Sequence, residues 1–132
     1  MTAEHDEVEL FNPSMMAAPV GPYSHVARIP LPGADLLVIS GQLASDLDAD
    51  VVGQTEQALG QLKLAVEACG GTLANIIKLT TFTTDLARRD EVRALRLRYF
   101  SEPYPASTLV KVAALVDPRA LVEIEALAVV PR

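Results

Sequence analysis

Apolar side chains at Ala58, Leu62, Ala65, Val66 and Cys69 recur every three or four residues. Gln54, Glu56, Gln61, Lys63 and Glu67 fall between them, which predicts an amphipathic helix with a polar outer side. Gly70-Gly71 follows and supplies a left-handed C-terminal cap. A second helix is predicted from Asp85, a natural N-cap, to about Phe100, with Leu86, Val92, Leu95 and Tyr99 on its apolar side. Pro103 and Pro105 end it. Strand patterns fill the rest. Tyr23–Ile29 and Ala34–Ser40 flank Pro30-Leu31-Pro32-Gly33 and predict a hairpin. Ile76–Thr84 is rich in β-branched residues. Ser107–Leu115 and Leu121–Val129 are two more strands around Val116-Asp117-Pro118-Arg119. Val8–Phe11 is short enough for an edge strand before Asn12-Pro13-Ser14 breaks it.

The order is strand pair, helix, strand, helix, strand pair, which points to an α+β fold: one mixed sheet with both helices on one face. Leu36–Ile39, Val110–Val112 and Ala126–Val130 barely alternate, so these strands read as apolar on both faces. A strand buried on both faces needs a cover. The simplest cover is a second copy of the same sheet, giving a homo-oligomer with sheets at its centre. The other reading is a two-layer monomer with a moderately apolar outer face.

At 132 residues the chain matches one domain, residues 1–132, with 1–16 as a leader or edge-strand segment. The formal charge of −6 and a pI near 4.8 argue against nucleic acid and against an anionic membrane surface. The apolar runs are far shorter than the roughly 20 residues of a membrane helix. One cysteine excludes an internal disulfide, and Cys69 lies on the helix's apolar stripe, as a core residue does. His5 and His25 are too few and too isolated for a metal cluster, and a local hydrogen bond or solvent contact is the expectation for each. The N-terminal MTAEHDEVELF lacks the apolar core of a signal peptide. A reduced, cytoplasmic setting is expected.

Four segments in series carry more information: Gly21-Pro22-Tyr23-Ser24-His25, Ile39-Ser40-Gly41-Gln42-Leu43, Pro105-Ala106-Ser107-Thr108-Leu109-Val110 and Val122-Glu123-Ile124-Glu125-Ala126-Leu127-Ala128. In order and spacing they resemble the RidA/YjgF family of reactive-intermediate deaminases over roughly residues 17–130. The resemblance implies a chorismate-mutase-like fold and a homotrimer whose sheets line a central barrel. It implies small-molecule clefts at the subunit interfaces. It also implies hydrolysis of 2-imino acids and their enamine tautomers with neither cofactor nor metal.

It further implies the site residues. Glu123 matches the acidic residue beside the reactive carbon, where it would activate water. Tyr23 matches an aromatic wall, and Ser40-Gly41 a backbone turn that touches the ligand. In deaminating members an arginine follows Pro-Ala in the third segment and holds the substrate carboxylate. Here that position is Ser107, which carries no charge, so standard 2-imino acid deamination is not the expectation. Arg88, Arg89, Arg93, Arg96 and Arg98 crowd the second helix, and 89, 93 and 96 share a stripe. Arg93 aligns with a cleft-facing position of the family and is the candidate replacement cation, with Lys111 behind it. A solvated arginine face is the other reading. Glu125 shares the sheet face of Glu123. Either glutamate also reads as a plain exposed strand residue or an ion-pair partner. Two functions remain open: an enzyme acting on imines, enamines or related carboxylates, and a trimer that binds a small metabolite without chemistry.

Overall fold

The computed structural model describes residues 7–132, so His5 and the first part of the leader lie outside the described residues. Six strands form one sheet: β1 (Glu9–Phe11), β2 (Val26–Leu31), β3 (Ala34–Gln42), β4 (Ile76–Thr83), β5 (Ala106–Lys111) and β6 (Val122–Pro131). Their spatial order is β1-β2-β3-β6-β4-β5, and only the β4–β5 pair is parallel. Helices α1 (Val51–Ala68) and α2 (Arg89–Tyr99) are the crossovers.

The hairpin forms where the sequence places it. Leu31 pairs with Ala34, leaving Pro32-Gly33 as the turn, and Gly33 sits at φ 74°, open to glycine and strained for other residues. Helix α1 starts at Asp50, whose carboxylate accepts the Gly53 N–H at 2.8 Å. It ends at Gly70, with φ 81°. Its inner side buries Ala58, Leu59, Leu62, Ala65 and Val66 against Val122, Ile124, Ala126, Ala128 and Val130, which alternate along β6. Cys69 packs half-buried beside this core, and burial pushes its thiol pKa up.

Three local expectations change. Helix α2 starts at Arg89 rather than at Asp85, and its first residue has no side-chain cap. The Asp85 carboxylate instead accepts the Ala87 N–H at 2.8 Å, closing a separate turn that uses up the capping group. Strand β5 stops at Lys111, and the Val112 N–H makes the last bond to β4, at the Thr83 carbonyl, 2.8 Å. Tyr23 precedes β2 and does not belong to it.

Both helices lie on one sheet face. On the other, Val38 pairs with Leu127, and Leu36, Phe82, Val110 and Val129 join them half-buried or exposed. The described chain leaves this apolar face uncovered.

Candidate functional site

Ser40 and Gly41 together stand opposite the single residue Glu125, because the β3–β6 register shifts between Ile39 and Gln42. Such a bulge re-aims the strand at its end. It brings the Gly41 backbone under the Glu123 side chain: a β-carbon added to Gly41 would lie 2.0 Å from Glu123 Oε1. Glu123 therefore occupies the space that any other residue at 41 would need. Its carboxylate has no hydrogen-bond or ion-pair partner among the described residues. Burial, and then the nearby Glu125 charge, raise its pKa above the usual glutamate value.

The segment before β2 forms a wall next to this cradle. Ser40 Oγ donates to the Ser24 carbonyl at 2.6 Å. The buried His25 ring donates from Nε2 to the Ala17 carbonyl at 2.8 Å, which leaves Nδ1 to accept from Gln42 Nε2 at 3.1 Å. The His25 N–H adds a bond to Asn12 Oδ1 at 2.8 Å. These bonds hold residues 12–25 over the end of β3. Tyr23, half-exposed, meets the His25 ring edge-on at 6.1 Å. Tyr23, His25, Gly41 and Gln42 line an open cavity of about 450 Å³ that reaches Gln61 of α1. Glu123 approaches Gly41 but is not part of that lining.

Ser107 lies elsewhere. It pairs with Leu79, whose side chain faces the helices, whereas Glu123 pairs with Phe82 on the uncovered face. The two residues leave the sheet on opposite sides. On the helix side, Arg96 of α2 donates from both terminal nitrogens to Ser107 Oγ, each at 3.2 Å. Arg89, Arg93 and Arg96 line one cavity of about 440 Å³ between α2 and the β4–β5 edge, together with Leu109 and Tyr104. The arginine stripe faces this cavity. Arg93 is exposed and has no hydrogen-bond or ion-pair partner among the described residues. The hydrogen bonds to Ser107 come from Arg96, three residues further on. Lys111 stays exposed on the same face of β5 as Ser107.

Gln54 carries a role that periodicity hides. It was expected on the polar side of α1, yet it is fully buried. Its Nε2 donates to the carbonyls of Leu47, Ala49 and Arg119 at 3.0–3.2 Å, and its Oε1 accepts the Leu121 N–H at 2.9 Å. One amide thus ties the loop after β3 to the entry of β6, just ahead of Glu123. Only its position one turn before Ala58, on the apolar stripe, signals this. Among the described residues no group of three or more His, Cys, Asp or Glu side chains is placed to hold a metal ion. No helix is long and apolar enough to cross a membrane.

The model of the family described as endoribonuclease L-PSP matches residues 15–130. The chain belongs to the RidA/YjgF family. Its relatives include RutC family protein y4sK of Sinorhizobium fredii, 38% identical over 113 residues, covering 81% of this chain and 86% of that one. A 2-iminobutanoate/2-iminopropanoate deaminase of Escherichia coli K12 is 36% identical, covering 85% of this chain and 90% of the other. Among solved structures, RidA from the Antarctic bacterium Psychrobacter sp. PAMC 21119 superposes with a TM-score of 0.73 at 34% identity, over 84% of this chain and 90% of that one. The mixed sheet with two helices is thus the fold of the RidA/YjgF family.

Proposed function

We propose that this RidA/YjgF member acts on a small imine, enamine or related carboxylate, in clefts between the subunits of a homotrimer. The observation that carries the reading is Glu123, seated on Gly41 with no hydrogen-bond or ion-pair partner among the described residues, its pKa raised by burial above the ordinary glutamate value. A carboxylate with a raised pKa is suited to exchange protons with water. In the hydrolysis, water adds to the carbon of the protonated imine as Glu123 takes one of its protons, giving a neutral carbinolamine. Glu123 returns that proton to the nitrogen, the C–N bond breaks as the remaining hydroxyl proton leaves, and the carbonyl product and ammonium are released. Enamine tautomerisation needs a proton delivered to the β-carbon and one taken from nitrogen, which Glu123 can relay without adding water. Tyr23 forms the cleft wall, Ser40 and Gly41 offer backbone groups, and Arg93 and Ser107 belong to the carboxylate end. No cofactor or metal enters this chemistry.

The trimer reading draws on two features. The sheet face bearing Val38, Leu127 and Val110 is apolar and uncovered. Glu123 and Ser107 lie on opposite sides of one sheet, so a cleft using both needs a second copy. Ammonia release from freshly generated 2-imino acids tests the chemistry. Turnover should fall roughly 10²-fold or more in Glu123→Gln. Unchanged turnover would end this reading. The second reading, a metabolite-binding trimer without chemistry, is favoured by Ser107, which supplies no charge. Tight ligand binding with no turnover on any imine or enamine would select it.

A further inference from the structure

The arginines of this chain divide into two groups. Arg28 pairs with Glu9, Arg88 with Asp50 and Glu91, Arg119 with Asp48 and Asp117, and Arg132 with Asp35. Arg89, Arg93, Arg96 and Arg98 have no carboxylate partner among the described residues, and the first three face one cavity. Arg96 is the most enclosed of them. Burial pulls its pKa down, yet a guanidinium stays charged in proteins. Among the described residues its one partner is the uncharged Ser107 hydroxyl, which accepts from both terminal nitrogens. A half-buried charge without a counter-ion is costly unless a ligand supplies one.

The cavity's other lining narrows the ligand. Asp85 and Asp90, which flank Arg89 in sequence, also line the cavity, and the Asp85 carboxylate already accepts the Ala87 N–H. Excess positive charge therefore lies toward Arg93 and Arg96. Beside them are Leu97, Tyr104 and Leu109, all about half exposed and on the cavity wall. A volume of about 440 Å³ holds more than a two- or three-carbon acid.

We propose that Arg96, held by Ser107, anchors the carboxylate of an organic acid whose apolar body rests on Tyr104, Leu97 and Leu109. The proposal rests on the carboxylate-ligand reading above and assigns its anchor and its side-chain preference. The guanidinium fork takes both carboxylate oxygens, Arg93 adds charge from one turn away, and the hydrocarbon covers apolar surface.

Calorimetric titration of the full chain with 3-phenylpropanoate, propanoate and 3-phenylpropanol tests it. The phenyl acid should bind at least tenfold more tightly than propanoate, and the neutral alcohol should show no measurable binding. Arg96→Ala should weaken the phenyl acid roughly ten- to hundredfold. Arg96→Lys, which keeps the charge and loses the fork, should fall between. Circular dichroism of each variant reports that the fold is kept. Wild-type affinity in Arg96→Ala, equal affinity for the two acids, or binding by neither acid would overturn the proposal. If Glu123→Gln keeps wild-type turnover on 2-imino acids while Arg96→Ala still loses affinity for the phenyl acid, the chemical reading fails and the anchor stands.

Discussion

Glu123 Oε1 lies where the β-carbon of any residue other than glycine at position 41 would go, 2.0 Å from that ideal position. Glycine at 41 and glutamate at 123 are one device, since the first makes room for the second. The bulge at Ser40-Gly41 supplies the approach.

Gly41→Ala therefore tests Glu123 without touching it. The obstructing atoms are the end of a flexible side chain, so Glu123 swings away and stability changes by no more than about 1 kcal/mol. Turnover should fall roughly 10²-fold, as in Glu123→Gln. Thermal unfolding and ammonia release, measured side by side, check this. A large stability loss with activity per folded molecule preserved would break the link.

The pH profile follows from the direction of the Glu123 shift. As a base the residue works when ionised, so kcat/KM should fall on the acid side, with its midpoint above the ordinary glutamate value of 4.5. Glu125→Gln removes the like charge and should move that limb to lower pH. Glu123→Gln should abolish the limb. Stability runs the other way. The folded pKa exceeds the unfolded one, so the folded state binds the proton more tightly. The destabilisation from Glu123 is fully present above the folded pKa and is relieved as pH falls toward the unfolded value. Wild type should therefore gain on Glu123→Gln, in denaturant midpoint, on acidification through that window.

Gln54→Ala strips partners from the carbonyls of Leu47, Ala49 and Arg119 and the N–H of Leu121 in one step. Leaving these groups unpaired should cost roughly 3 kcal/mol, read from urea unfolding. Gln54→Leu should not recover it, since volume is not what the site lacks.

The apolar sheet face predicts assembly. Light scattering should give a trimer of the 14.1 kDa chain. Val38→Asp, at the centre of that face opposite Leu127, should dissociate it, because the charge would be buried without a partner. A trimer that persists in Val38→Asp would place the interface elsewhere.

Much of this architecture is legible in the residues. The period of α1, the Pro32-Gly33 turn and the apolar residues on both faces of β3 and β6 are local patterns, and each reappears in the fold. Val110–Val112 does not follow them, since β5 is exposed along its length and ends before Val112. The Ser40-Gly41 and Glu123 segments stand out because they are short and contiguous, and the fold brings Gly41 and Glu123 together. Three things could not be read. Which arginine of the α2 stripe meets Ser107 depends on the rotation of a helix against a strand edge. That packing angle has no local signature, so Arg93 stood out by alignment while Arg96 holds the hydrogen bonds. Gln54 was masked in a different way. An amide one turn ahead of an apolar stripe looks like its polar margin until two distant loops close around it. Asp85 shows the converse: a good cap residue was drawn into the nearest turn.

The placement of Ser107 and Glu123 on opposite sides of one sheet has a genetic consequence. If each cleft of the trimer draws its anchor from one copy and its base from another, damage to the two ends is not additive within a population. Arg96→Ala and Glu123→Gln chains, each impaired alone, should regain activity when unfolded and reassembled together, since some clefts then inherit both intact halves. The double variant, mixed with itself, should recover nothing. Interallelic complementation of this kind would reveal a shared cleft in a cell extract, without any structure of the assembly.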